Sequence, residues 1–213
     1  MKSAVIIGGG QFPKKAFPRY LVAEADIVVC CDGAVRACLR NFPDRLPDMV
    51  IGDMDSLPEA FLKSYGGNWL KVPDQETNDQ TKAFDWLVRT HPDVSEIHFI
   101  GATGKRADHT VANLSLLTEY ATRVTDGVII DSVSDNETAF PMLDSGSFLC
   151  GKGRSVSIFS PDNTLKIKSA GLEWPTDNVV FDNWWKGSLN RACDDLVTLS
   201  FNHPSKALVI LGG

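Results

Sequence analysis

The stretch Asp48–Ala60, "DMVIGDMDSLPEA", decides how the chain is expected to fold. Asp48-Met49-Val50-Ile51-Gly52 reads as a short buried strand, and Leu57-Pro58-Glu59-Ala60-Phe61-Leu62 puts a Pro and an acid where a helix would begin. Two carboxylates, Asp53 and Asp55, therefore fall at the carboxyl end of a strand, where open α/β sheets bind ligands. Side chains two apart in an extended segment share a face, so both acids can point at one cation. A structural use is open as well, because Asp53 and Ser56 are residue types that cap helices.

The same alternation runs outward from this stretch. Strand candidates are Ala4–Ile7, Ile27–Cys31, Met49–Ile51, Trp69–Val72, Ile97–Ile100 and Val128–Ile130. Helical patterns lie near Pro18–Glu24, Ala34–Asn41, Pro58–Tyr65, Asp79–Thr90 and Asp108–Tyr120. This predicts an α/β half with a mostly parallel, Rossmann-like sheet flanked by helices. After Asp131 the helical period stops. Short apolar runs, Phe148–Cys150, Val156–Phe159, Leu165–Ile167, Leu196–Phe201 and Ala207–Leu211, are separated by Gly, Pro, Asn and Asp, which predicts an antiparallel β-sandwich or barrel. The polar stretch "SVSDNET" sets the expected boundary, giving domains 1–134 and 135–213.

With 213 residues the chain can bury a sizeable core in one large domain or two small ones. Its 21 basic and 27 acidic residues, net −6, give no global positive field for nucleic acid or an anionic membrane. The five cysteines are odd in number and lack a C-x-x-C spacing, so buried free thiols are expected rather than a disulfide framework or zinc site. The opening "MKSAVIIGGG" is too short in its apolar run for a membrane span and suits a first strand better than a signal peptide; a cytoplasmic protein is expected.

Three further clusters could carry chemistry. In "VPDQETNDQTKAFDWL", Asp74, Glu76 and Asp79 lead from a strand end into a helix that Thr77 or Asn78 could cap. Asp79 would give Mg²⁺ a third oxygen ligand beside Asp53 and Asp55, with substrate phosphates completing the octahedron. Lys82, one turn on, suits either phosphate or a solvated helix face. In "FIGATGKRADHTVANLSLL", Gly101 and Gly104 let the backbone approach a ligand, the helix start offers free N–H groups, and Arg106 offers fixed charge. Asp108 suits a metal ligand or a helix cap. His109 reads as a structural hydrogen-bonding residue rather than a general base. "IIGGGQFP" and "CCDGA", with Asp32 and Gly33, each place glycine after a strand; together these strand ends predict one backbone-lined crevice for a nucleotide polyphosphate and its metal. Late in the chain, Trp174, Trp184 and Trp185 sit among polar residues; Trp184 and Trp185 are expected in packing roles, and Trp174, before a Pro, at a loop where its ring can meet an aromatic or cationic ligand.

Taken in order, "GGG" with "CDGA", then "GDMDS", "PDQETNDQTKA", "GATGKRADHT", "GLEW" and "GSLN" resemble the thiamine pyrophosphokinase family over nearly the whole chain. The resemblance implies transfer of a pyrophosphoryl group from ATP to the hydroxyl of thiamine, with Mg²⁺, in a homodimer whose sites are shared between subunits. It implies metal-binding acids at Asp53, Asp55 and Asp79 with Asp32 nearby, and a thiamine contact from Gln75. Nucleotide contacts are implied for Gly9, Gly33, Lys82 and the turn holding Gly101, Thr103, Gly104, Arg106 and Asp108, and a thiamine-binding end for Trp174, Ser188 and Asn190. Two positions depart from the pattern: Lys105 stands where many relatives have a second glycine, and "GSLNRA" is a loose version of a motif containing Ser-Asn. Two rival readings are a metal-dependent phosphohydrolase, which needs no ring-stacking Trp, and a nucleotide-sensing module without turnover, which needs no acid trio.

Overall fold

A computed structural model describes residues 1–213. The backbone groups into two units, Met1–Leu116 with Val124–Asp135, and Leu117–Arg123 with Asn136–Gly213.

In the first unit the strands are β1 Ser3–Ile7, β2 Ile27–Cys31, β3 Met49–Gly52, β4 Trp69–Lys71, β5 Glu96–Ile100 and β6 Ile129–Val133. They pair in parallel in the order β6-β5-β1-β2-β3-β4. The helices α1 Ala16–Glu24, α2 Ala34–Asn41, α3 Glu59–Ser64, α4 Asp79–Thr90 and α5 Ala107–Ala121 alternate with them along the chain. β1 and β2 are buried almost throughout, which is why they read as unbroken apolar runs rather than alternating ones. Each fully buried Ile or Val there contributes about 1.5–3 kcal/mol over an exposed one. α4 starts where Asn78 Oδ1 accepts the Thr81 N–H at 2.9 Å, and it buries Ala83, Phe84 and Leu87 on one stripe. α1 tolerates Pro18 because the residue falls in the first turn, where backbone N–H groups have no intrahelical partner.

The second unit holds two antiparallel sheets, ordered β11-β9-β13-β7 and β10-β12-β8. Their strands are β7 Glu137–Met142, β8 Gly146–Leu149, β9 Ser155–Phe159, β10 Ile167–Ala170, β11 Asn190–Arg191, β12 Leu196–Phe201 and β13 Ala207–Gly212. Val156, Ile158, Val209 and Leu211 from one sheet and Ile167, Val197 and Leu199 from the other share one core. Phe140 on β7 meets Phe148 on β8 edge-on, ring centres 5.1 Å apart. An α/β half followed along the chain by a β-sandwich is therefore the observed architecture.

Three local expectations fail for identifiable reasons. β7 is not legible in the sequence because Pro141 within it argues against a strand, yet it pairs along its whole length with β13. Leu165 and Lys166 lie outside β10, because Asp162 Oδ1 takes the N–H and hydroxyl of Thr164 and bends the chain first. Of the cysteines, Cys30, Cys31, Cys38 and Cys150 are buried free thiols, but Cys193 is exposed.

Candidate active site

β2, β3 and β4 extend from one side of β1 and β5 with β6 from the other, so strand order reverses between β1 and β5. The register Ile7↔Ile100 sets Gly8-Gly9-Gly10 against Gly101-Ala102-Thr103. Gly8 N–H donates to Ile100 O at 2.8 Å, Gly10 N–H to Gly101 O at 2.7 Å, and Gln11 N–H to Thr103 O at 2.7 Å. The two loops are so close that a Cβ on Gly10 would lie 2.2 Å from Thr103 O. Gly101 and Gly104 take φ of +66° and +90°. Gly9 is different: it is exposed, and a Cβ there would meet nothing within 4 Å. At this switch point opens a cavity of about 630 Å³, lined by Gly9, Gly33, Thr103 and the residues described next.

β2 and β3, paired at Cys31↔Ile51, deliver Asp32 and Asp53 from adjacent strand ends. Carboxylate oxygens of Asp32, Asp53 and Asp55 all lie within 4.8 Å of one another. Asp55 reaches the group by a turn rather than along an extended segment: Met54 takes φ +64°, and Asp55 N–H donates to Asp53 Oδ1 at 3.2 Å. The Met54 side chain, buried in the core of this unit, anchors that turn. Neither Asp53 nor Ser56 caps α3, whose N-cap is Pro58 with no side-chain bond. Asp32 is 4% exposed; its Oδ2 accepts Ser56 N–H at 3.2 Å, while Oδ1 is buried without a hydrogen-bond partner. A buried orphan carboxylate oxygen beside two more carboxylates is costly unless a cation meets it, and an all-oxygen set is the donor chemistry of Mg²⁺.

Asp53 is held below the usual carboxylate range, first by the Asp55 N–H and then by the Gln75 amide, which donates to Oδ2 at 3.3 Å. Asp79, the first residue of α4, stands beside the trio rather than within it. Burial raises its proton affinity, Lys82 opposes this, and the charges of Asp53 and Asp32 add to it. Gly52 makes the approach of these acids feasible: a Cβ there would lie 2.7 Å from Asp32 Cβ and 3.3 Å from Asp79 Cγ.

The cations divide into paired and unpaired. Lys82 is 7% exposed and bound to Asp79 at 3.2 Å, so it is not on a solvated helix face. Arg106 is exposed and faces Asp108, Nε to Oδ1 at 3.1 Å; Asp108 also accepts His109 N–H at 2.9 Å. Lys105 and Arg36 line the cavity without a carboxylate partner: Lys105 Nζ donates to Gly9 O at 2.8 Å, and Arg36 lies over the Phe61 ring at 5.7 Å. Lys105 fits its turn because the left-handed φ angles fall on Gly101 and Gly104 on either side of Ala102 and Thr103, not on the lysine. His109 is exposed in the cavity wall with no side-chain hydrogen bond, contrary to its expected structural role. Sequence reasoning missed Arg36 and the amide network in the wall, where Gln80 Nε2 donates to Asn113 O at 3.1 Å and Asn113 Nδ2 to Ala102 O at 2.8 Å. Nothing in their spacing distinguishes them from ordinary helix residues.

Trp174, Ser188 and Asn190 belong to the second unit. Trp174 is 52% exposed, and Asn190 holds its backbone from both sides, accepting Trp174 N–H at 3.2 Å and donating to Trp174 O at 2.6 Å. Ser188 Oγ donates to Trp185 O at 2.6 Å. Trp184 and Trp185 are 65% and 69% exposed, which overturns the packing role expected for them. Short turns and polar neighbours leave their rings no core to enter.

Residues 18–128 match the family model described as thiamin pyrophosphokinase, catalytic domain, and residues 138–209 that described as thiamin pyrophosphokinase, substrate-binding domain. Thiamine pyrophosphokinase 1 of Oryza sativa subsp. japonica is 25% identical over 202 residues, covering 82% of this chain and 74% of that one. Thiamin pyrophosphokinase 1 of Caenorhabditis elegans is 28% identical over 168 residues, covering 75% and 68%. In fold, the chain is similar to the crystal structure of thiamin pyrophosphokinase from Geobacillus thermodenitrificans, with TM-score 0.78, 21% identity and coverage of 99% and 97%. With one model matched across most of the residues that line the cavity and the other across the sandwich, the chain belongs to the thiamin pyrophosphokinase family.

Proposed function

We propose that the protein is an ATP:thiamine diphosphotransferase, giving thiamine diphosphate and AMP. The observation that carries the reading is the carboxylate group with the orphan Asp32 Oδ1 at the edge of a glycine-lined switch-point cavity, in a chain that matches both family models. In the reaction the thiamine hydroxyl oxygen bonds to the β-phosphorus of ATP. The α–β bridging bond breaks with its electrons leaving on AMP, and the hydroxyl proton passes to Asp55 or Asp79. The alcohol is a weak nucleophile, so alignment and neutralisation of phosphate charge supply most of the acceleration. Asp53, Asp55 and Asp79, with Asp32, would hold Mg²⁺, which offsets the negative charge of the polyphosphate when bound. The Gly8–Gly10 and Gly101–Gly104 loops let the polyphosphate approach the backbone, and Arg106 adds charge at the rim. Gln75, tied to Asp53, would contact thiamine, and Trp174, its backbone held by Asn190 and with Ser188 in the same loop, would supply the ring face. A homodimer with sites shared between subunits belongs to the same proposal and rests on the family resemblance, and a cytoplasmic location belongs to the proposal as well.

Incubation with thiamine and Mg-ATP, followed by product identification, tests the reading. Thiamine diphosphate and AMP in equal amounts are expected. Inorganic phosphate without a thiamine product would refute it in favour of a phosphohydrolase, and binding without turnover in favour of a sensor.

A further inference from the structure

The three glycines after β1 are not equivalent. Gly8 and Gly10 are demanded by the protein itself, since a Cβ on either would lie within 2.8 Å of a carbonyl oxygen of the Gly101–Thr103 loop. Gly9 is demanded by nothing in the protein: a side chain there would point into open space, in the wall of the cavity. The bare backbone at Gly9 leaves a bay that a ligand group can enter. Its carbonyl meets one charged group, the Lys105 ammonium, at 2.8 Å.

Charge pairing singles out the same residue. Of the other cations lining the cavity, Lys82 is bound to Asp79 and Arg106 to Asp108, so each already has a carboxylate partner, and Arg36 lies over the Phe61 ring rather than at the Gly9 carbonyl. Lys105 is exposed, faces a neutral carbonyl, and has no carboxylate partner. A flexible lysine stem lets the ammonium exchange that neutral acceptor for an anionic one within the same bay, keeping a charge-assisted hydrogen bond and gaining the attraction of opposite charges.

We propose that Lys105 is a polyphosphate-binding residue of the nucleotide site, supplying the positive charge for a nucleoside triphosphate that lies across Gly9. The inference rests on the ATP-using reading above and adds a residue at which this chain departs from the family pattern. A triphosphate is the class of ligand selected, because Gly9 and Lys105 line the same cavity as Asp32 and Asp53, and a chain of phosphates offers several charged groups to the lysine and the metal acids together. Lys105 thereby raises affinity for ATP over AMP.

The test uses the full chain and isothermal titration with α,β-methylene-ATP plus Mg²⁺, and with AMP, on the wild type and on Lys105→Gln and Lys105→Arg. Gln keeps a donor for the Gly9 carbonyl without the charge; Arg keeps the charge. The expected result is an approximately tenfold rise in the analogue Kd for Lys105→Gln, equivalent to about 1.4 kcal/mol. AMP affinity should change by less than about twofold, Lys105→Arg should bind the analogue as the wild type does, and melting temperatures should be unchanged. Equal analogue affinity in Lys105→Gln and wild type overturns the inference, as does an equal loss for analogue and AMP, which would make Lys105 only a strap for the Gly9 loop. If the wild type binds neither nucleotide, the functional reading falls and the inference with it.

Discussion

Replacing Gly10 by Ala should destabilise the first unit severely, whereas the same change at Gly9 should leave stability almost untouched. The added Cβ on Gly10 would lie 2.2 Å from Thr103 O and 2.4 Å from Gly101 O, roughly 1 Å inside ordinary carbon–oxygen contact. Both oxygens belong to the backbone and cannot rotate away. Relief must come from separating the loops, which strains or breaks the 2.7 Å bonds from Gly10 N–H to Gly101 O and from Gln11 N–H to Thr103 O. Two such bonds contribute about 0.5–1.5 kcal/mol each, and forced overpacking costs a further 1–3 kcal/mol or so. A total of about 2–6 kcal/mol corresponds to a melting temperature lower by roughly 4–24 °C for a chain of this size. Gly9→Ala should melt within about 2 °C of the wild type, because its Cβ meets nothing, yet bind ATP more weakly. Thermal unfolding followed by circular dichroism reads the difference. If Gly10→Ala and Gly9→Ala melt together, the close approach of the two loops is not what fixes these glycines.

Asp53→Asn keeps an acceptor for the Asp55 N–H but loses a charge from the acid group, so turnover should fall at least about 100-fold with the circular dichroism spectrum unchanged; wild-type activity at subsaturating Mg²⁺ would remove Asp53 from the metal set. Trp174→Ala should weaken thiamine binding by about 1–3 kcal/mol with ATP affinity little changed, and an unaltered thiamine Kd would return the ring to a packing role. Mixed Gln75→Ala and Trp174→Ala chains, once subunit exchange is demonstrated, should recover roughly a quarter of wild-type activity if sites are shared in a dimer; no recovery places both residues in one chain's site. His98, in register with Asp131 across β5 and β6, is subject to burial that lowers its pKa, but the 2.7 Å bond to Asp131 and the nearby Glu96 outweigh it and raise the pKa. Its contribution is then full below the unfolded value of about 6.5 and lost as pH rises through the folded pKa. Urea midpoints should show this decline as pH rises above about 6.5 in the wild type and not in His98→Gln; identical pH profiles would refute it.

The sequence by itself determined the order of elements in the first unit and the position of the acids along the chain. Runs such as Ala4–Ile7 and Ile27–Cys31 are apolar at every position, a composition that suits strands buried on both faces, and glycine or aspartate at their ends marks where the backbone must turn. That information is local, because it depends on which side chains must leave water within a few residues of one another. Tertiary structure decided what depends on contacts between distant segments. Asp32 joined Asp53 and Asp55 because β2 and β3 lie side by side, and Asp55 arrived by a turn at Met54 that no pleat pattern predicts. Lys82 became a buried ion-pair partner of Asp79 instead of a solvated lysine. Gly9 separated from Gly8 and Gly10 only when the Gly101–Thr103 backbone was packed against them. Burial, pairing and steric fit are relations between residues up to a hundred positions apart, and no period or propensity within one segment encodes them.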